Sequence, residues 1–103
     1  MTDRKIITEQ HDIVIDYHGT RQRAEWNIRH GLPARNQIQR LRELKDYILR
    51  FEDILDTIPD RRARIILRGR YGAGMSIRDL SFMLDMSCIT VKRICAAALA
   101  GLG

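Results

Sequence analysis

The stretch Ser76–Leu102, S-I-R-D-L-S-F-M-L-D-M-S-C-I-T-V-K-R-I-C-A-A-A-L-A-G-L, constrains this chain more than any other part of it. Two serines eleven residues apart each suit the start of a helix, which leaves room for two short helices and one tight turn. Ser76 can accept a backbone N–H bond as a cap, and Asp79 at the third helical position suits the positive end of the helix. Ser87 repeats the device. Asp85 falls where the chain must reverse, a place that often needs a left-handed backbone, which Asp tolerates better than most residues other than Gly. Ser81 is small enough to let two helix backbones cross closely. Ile77, Leu80, Leu84, Met86, Val91 and Ile94 recur at the spacing of two facing apolar stripes. If Val91 and Ile94 look inward, Thr90, Lys92 and Arg93 are left on the outside of the second helix. The pattern predicts a helix-turn-helix.

With 103 residues, the chain has room for one compact domain, or a small domain and an extension. An apolar fraction of 45% beside a charged fraction of 30% is that of an ordered soluble chain, and two prolines are too few for extended disorder. No run approaches the eighteen or so apolar residues needed to cross a bilayer, and M-T-D-R-K-I-I-T-E-Q lacks the apolar core of a signal peptide. A cytoplasmic protein with no membrane partner is expected.

The net charge of +5 is unevenly distributed. Residues 1–59 carry ten Lys/Arg and ten Asp/Glu, whereas residues 60–103 carry eight of the former (Arg61, Arg62, Arg64, Arg68, Arg70, Arg78, Lys92, Arg93) against Asp60, Asp79 and Asp85. The whole excess therefore lies with the two-helix motif. A basic surface that coincides with such a motif is the electrostatic footprint of phosphate binding, so double-stranded DNA is the expected partner. Cys88 and Cys95 fall on one predicted helix, about 10 Å apart at its rise per residue, beyond disulfide reach within one chain. Cys95 reads as a small core residue. Cys88, at a helix start, has the setting of a redox-sensing thiol, but packing or a DNA contact is the simpler role.

The remainder reads as helices throughout, an all-α chain. Met1 to Gly19 carries a helical stripe at Ile6, Ile13 and Tyr17, although D-I-V-I-D-Y also alternates like a strand. Thr20 to His30 reads as a second short helix, capped by Thr20, anchored by Trp26 and stopped by Gly31. From Ala34 to Ile58, Leu41, Leu44, Ile48, Phe51, Leu55 and Ile58 alternate spacings of three and four, a heptad seam in a long amphipathic helix. That seam has two uses: packing back on the amino-terminal helices, or pairing with another copy as a homodimer through the 34–58 helix. Pro59 breaks it, Asp60 can cap a further helix from Asp60 to Tyr71, and Gly72-Ala73-Gly74 ends that one. Residues 1–58 are thus expected to form a helical extension and residues 59–103 a DNA-binding domain.

The run L-R-G-R-Y-G-A-G-M-S-I-R-D-L-S-F-M-L-D-M-S-C-I-T-V-K-R-I, ending in A-L-A-G-L, resembles region four of bacterial RNA polymerase sigma factors, the domain that reads the promoter minus-35 element. It looks closest to the version in small phage and prophage regulators, where a charged helical segment precedes it. The resemblance covers about residues 59–102 and implies a transcription regulator with DNA and RNA polymerase as partners. It implies phosphate contacts from Arg62, Arg70, Ser76 and Arg78. It also implies a major-groove helix, capped by Ser87, that presents Cys88, Ile89, Thr90, Lys92 and Arg93. On chemical grounds Lys92 or Arg93 can donate to guanine O6 and N7, while Ile89 and Thr90 suit a thymine methyl. Arg70, beside Tyr71, serves equally well as a surface charge flanking a core ring. Cys88 and Ile89 stand where sigma factors usually hold an Arg and a Glu for base reading, Ala97 replaces a basic position, and A-G-L-G replaces a basic tail. These departures imply an altered target and fewer phosphate contacts.

Catalytic chemistry is not legible. His11, His18 and His30 match no tight zinc spacing, and no phosphate-cradling loop, nucleophile elbow or paired-carboxylate motif stands in a suitable context. Neither an enzyme nor a metal or cofactor site is expected. Two other uses of the motif compete with transcription: a DNA-packaging (small terminase-like) or recombination accessory, and a protein-interaction module whose helix-turn-helix has lost base reading.

Overall fold

The computed structural model describes residues 1–102, and among them every regular element is helical. Helix α1 spans Asp3–Thr8, α2 Gln10–Arg29, α3 Arg35–Asp56, α4 Arg61–Leu67, α5 Ile77–Leu84 and α6 Cys88–Ala100; a π-helical turn, Arg68–Gly72, continues α4. Helices α2 and α3 form an antiparallel hairpin, which draws the molecule out to 53 × 26 × 15 Å. Its turn is a Schellman motif: Gly31 adopts φ +69°, Leu32 N–H donates to Asn27 O at 2.8 Å, and Gly31 N–H donates to Ile28 O at 3.1 Å. Asn27 Nδ2 adds a bond to Pro33 O across the same turn. Gly31 is therefore seen as the helix stop.

The amino-terminal third departs from the expected layout. Two short helices divided near Thr20 are replaced by a six-residue helix and a twenty-residue one, divided at Glu9. Thr20 caps nothing: it is buried in the middle of α2, where its hydroxyl donates to Asp16 Oδ1 at 3.1 Å and accepts from Arg23 Nη2 at 3.0 Å. Arg40 of α3 reaches the other oxygen of Asp16 at 2.9 Å, so this polar cluster ties the hairpin together on one side. Trp26 is not the apolar anchor either. It stands 53% exposed, its indole stacked on the His30 ring at 4.1 Å between centroids, while Ala24 and Thr20 hold the buried positions on α2. The cause is register: α2 runs through Thr20 without a break, so its inward face is set by Ile13, Thr20 and Ala24, and Trp26 lies well off that face at 100° per residue.

The heptad seam of α3 is mostly consumed within the chain. Leu44, Phe51, Leu55 and Ile58 are buried against the other helices, and Leu41 and Ile48 are half-buried. A coiled coil built on the buried four would require the hairpin to open, whereas Ile38 and Leu49 of α3 remain exposed.

A single cluster joins the two ends of the sequence. Ile6 and Ile7 of α1 pack with Phe51, Ile54 and Leu55 of α3, with Ala63, Ile66 and Leu67 of α4, and with Leu80, Val91, Cys95 and Leu99 of the last two helices. Sealing each of those two isoleucines from water is worth about 1.5–3 kcal/mol. Just past the break at Glu9, Gln10 is buried with its Oε1 unpartnered. The π-helical turn brings Gly69 against Leu80 so closely that a Cβ there would lie 2.6 Å from Leu80 Cδ2. No glycine substitution is therefore free at position 69.

Ile7→Ala is expected to cost about 2–5 kcal/mol in urea unfolding followed by far-UV circular dichroism, with one cooperative transition, whereas Trp26→Ala should cost no more than about 1 kcal/mol. The hydrogen bond from Arg40 holds the Asp16 carboxyl below its ordinary range. Stability from that pair is thus present above the unfolded carboxylate pKa and fades as pH falls through the lower folded value. Asp16→Asn should flatten the acid limb of the stability profile below about pH 4, by about 0.5 kcal/mol or less given solvent screening of an exposed pair.

Candidate nucleic-acid interface

Serine caps define both helices that would carry the interface. Ser76 Oγ accepts from Asp79 N–H at 3.0 Å at the start of α5, and Ser87 Oγ accepts from Thr90 N–H at 3.1 Å at the start of α6. Between them Asp85 takes φ +53° and ψ +49°, the left-handed conformation read from its place in the sequence. Met86 N–H returns to Ser81 O at 3.0 Å, and Ser81 Oγ donates to Met86 O, so Ser81 locks the turn as well as permitting the helices to approach. This short reversal aims the first turn of α6 away from the core.

Burial then divides α6 into two sides. Val91 is fully buried, Cys95 and Leu99 are buried, and Ile94 is half-buried against the core. Cys88, Ile89, Thr90, Lys92 and Arg93 are all exposed, with Ile89 at 68%. The five residues expected to present themselves are therefore all open to solvent. Ser76 and Arg78 are exposed at the start of α5, although the Ser76 hydroxyl is occupied by its cap. Both thiols are free, Cys88 exposed and Cys95 buried.

Arg70 has a mixed position. It sits half-buried in the π-helical turn with its guanidinium 5.9 Å from the centroid of the Tyr71 ring, yet it lines a shallow groove of about 300 Å³ together with Lys92 and Ala96. Burial raises the Tyr71 phenol above its ordinary pKa, so the ring is neutral and offers its face to the cation. The fold thus brings Arg70 and Lys92, distant in sequence, to one surface. Arg62 is exposed in the first turn of α4, its N–H given to the Asp60 cap at 2.9 Å; among the described residues no hydrogen bond or shared groove joins it to the others.

Two of the eight cations in residues 60–103 serve the fold instead. Arg64 Nη1 donates to Ile58 O at 2.6 Å and Pro59 O at 3.1 Å, fixing the link between α3 and α4, and Arg68 pairs with Glu52 at 2.7 Å. The surplus available to a partner is correspondingly smaller than the sequence sum. Two apolar residues beside the site were not singled out by sequence reasoning: Phe82 is 91% exposed and Met83 55%. Their signal was present, because both fall out of phase with the Ile77, Leu80, Leu84 stripe and so cannot face the core with it. Phe82 lines a shallow cavity of about 400 Å³ beside Ser81, Asp85, Met86 and the Ser87 cap.

Among the described residues no group of three or more His, Cys, Asp or Glu side chains is placed to hold a metal ion. Among the described residues no helix is long and apolar enough to cross a membrane. Comparison of the chain with protein-family models, with curated proteins and with solved structures returns no match.

Proposed function

We propose that this chain is a sequence-specific, double-stranded-DNA-binding transcription regulator of the kind carried by phages and prophages, acting through a helix-turn-helix formed by α5 and α6. One observation carries the reading: with Val91 fully buried, Thr90, Lys92 and Arg93 are all exposed in the first turns of a serine-capped helix. A helix so placed enters the major groove by its first turns, where Lys92 and Arg93 can donate to guanine O6 and N7. Ser76 and Arg78 at the start of α5, with Arg70 beside Lys92, supply groups that orient the domain on phosphates without reading sequence. The resemblance to sigma region four makes RNA polymerase the second partner in this reading. Half-site pairing, if the regulator acts as a homodimer, would draw on Ile38 and Leu49, which α3 leaves open.

A second reading has its own observation. Phe82, Met83 and Ile89 are exposed apolar side chains close to the same turn, a feature of surfaces that dock on proteins. Salt separates the two: binding through several phosphates weakens steeply as salt rises, while apolar docking does not.

The double substitution Lys92→Ala with Arg93→Ala is expected to abolish sequence-selective duplex binding in a fluorescence-anisotropy titration while leaving helicity by circular dichroism unchanged. Wild-type affinity should fall at least tenfold between 50 and 200 mM salt, taking about three or more phosphate contacts as the estimate. Unchanged selectivity in the double variant, or affinity indifferent to salt, would refute the proposal.

A further inference from the structure

We propose that the first turn of α6 selects thymine in the major groove, through the Ile89 side chain and the Thr90 methyl, roughly two base pairs from a guanine met by Lys92 or Arg93. This rests on the duplex-DNA reading of the same face. The argument begins with what the first turn lacks. Ile89 has no polar group and is 68% exposed, so the fold gains little from it. Thr90 has a hydroxyl, but the cap already holds it: Thr90 Oγ1 lies 2.8 Å from Ser87 Oγ, the same oxygen that accepts the Thr90 N–H. With the hydroxyl turned toward the cap, the methyl is the apolar group Thr90 offers beside Ile89. Cys88 adds only a thiol, a weak donor.

Guanine, adenine and cytosine present hydrogen-bonding groups in the major groove, whereas thymine alone adds a methyl that rewards apolar contact. For a first turn whose most exposed side chain is the apolar Ile89, that methyl is the matching base feature. Farther along the same exposed side the chemistry changes to the cations of Lys92 and Arg93. Four residues separate Ile89 from Arg93, about 6 Å of helix rise against about 3.4 Å per base pair, which sets the spacing of roughly two steps. The apolar character of these positions is thus a change of target base and not a loss of reading.

The test isolates the methyl. Duplexes enriched from a random library by the full-length wild-type chain at fixed salt are resynthesised with deoxyuridine replacing thymine, one position at a time. They are then titrated with wild type, Ile89→Ala, Thr90→Ser and Lys92→Ala. Wild type should bind about fourfold more weakly for each recognised methyl removed, the effect of taking one methylene-sized group out of apolar contact. Ile89→Ala should bind the thymine duplex more weakly and lose that discrimination at one position, and Thr90→Ser, which keeps the cap partner, should lose it at a neighbouring one. Equal wild-type affinity for thymine and deoxyuridine duplexes, or full discrimination in both variants, overturns the inference. If Lys92→Ala still weakens binding in that case, the DNA reading survives without it. Failure of the wild type to enrich any duplex ends both.

Discussion

Burial of Val91 beside Leu80 and Leu67 is the contact on which the proposed site depends, because it fixes the rotation of α6 about its own axis. A helix turned by a single residue would rotate by about 100° and carry Lys92 or Thr90 toward the core. That contact is not local to the last two helices. Ile6 and Ile7 close one side of the same cluster and Leu55 another, so residues at the start, middle and end of the sequence share the work of orienting one face. The amino-terminal segment is therefore part of what positions α6, whatever else it does.

Charge follows the same logic of shared duty. The basic excess of residues 60–103 looks in the sequence like one partner-facing surface, but Arg64 holds the α3–α4 link and Arg68 pairs with Glu52 of α3. The cations left over, among them Arg70, Arg78, Lys92 and Arg93, are those whose positions allow them to meet a polyanion. Arg70 shows how the two duties overlap, with its guanidinium near the Tyr71 ring and its edge in the groove shared with Lys92.

The parts of the fold that were legible in advance are those in which the determining chemistry lies within a few residues. Ser76, Ser87 and Asp60 cap helices because each offers an oxygen two or three residues ahead of an unpaired N–H, and all three bonds are present. Asp85 turns left-handed for an equally local reason. The misplaced boundary at Thr20 has the opposite character: Thr is as plausible at a cap as in a helix interior, and only Asp16 and Arg23 one turn away show that its hydroxyl has other partners. The true break at Glu9 has no glycine or proline to mark it. Ile6 and Ile7, just before it, are buried in a cluster with residues more than forty positions away, which no local pattern announces.

The sequence by itself determined the all-helical class, the two serine-capped helices and the turn between them, since capping, left-handed tolerance and apolar period are properties of short segments. Tertiary structure decided which of the α3 seam residues stayed available, which arginines were drawn into the fold, and that Trp26 would face solvent. Those outcomes depend on which surfaces meet, and a side chain's own chemistry does not specify whether a neighbour from elsewhere in the chain will arrive to cover it.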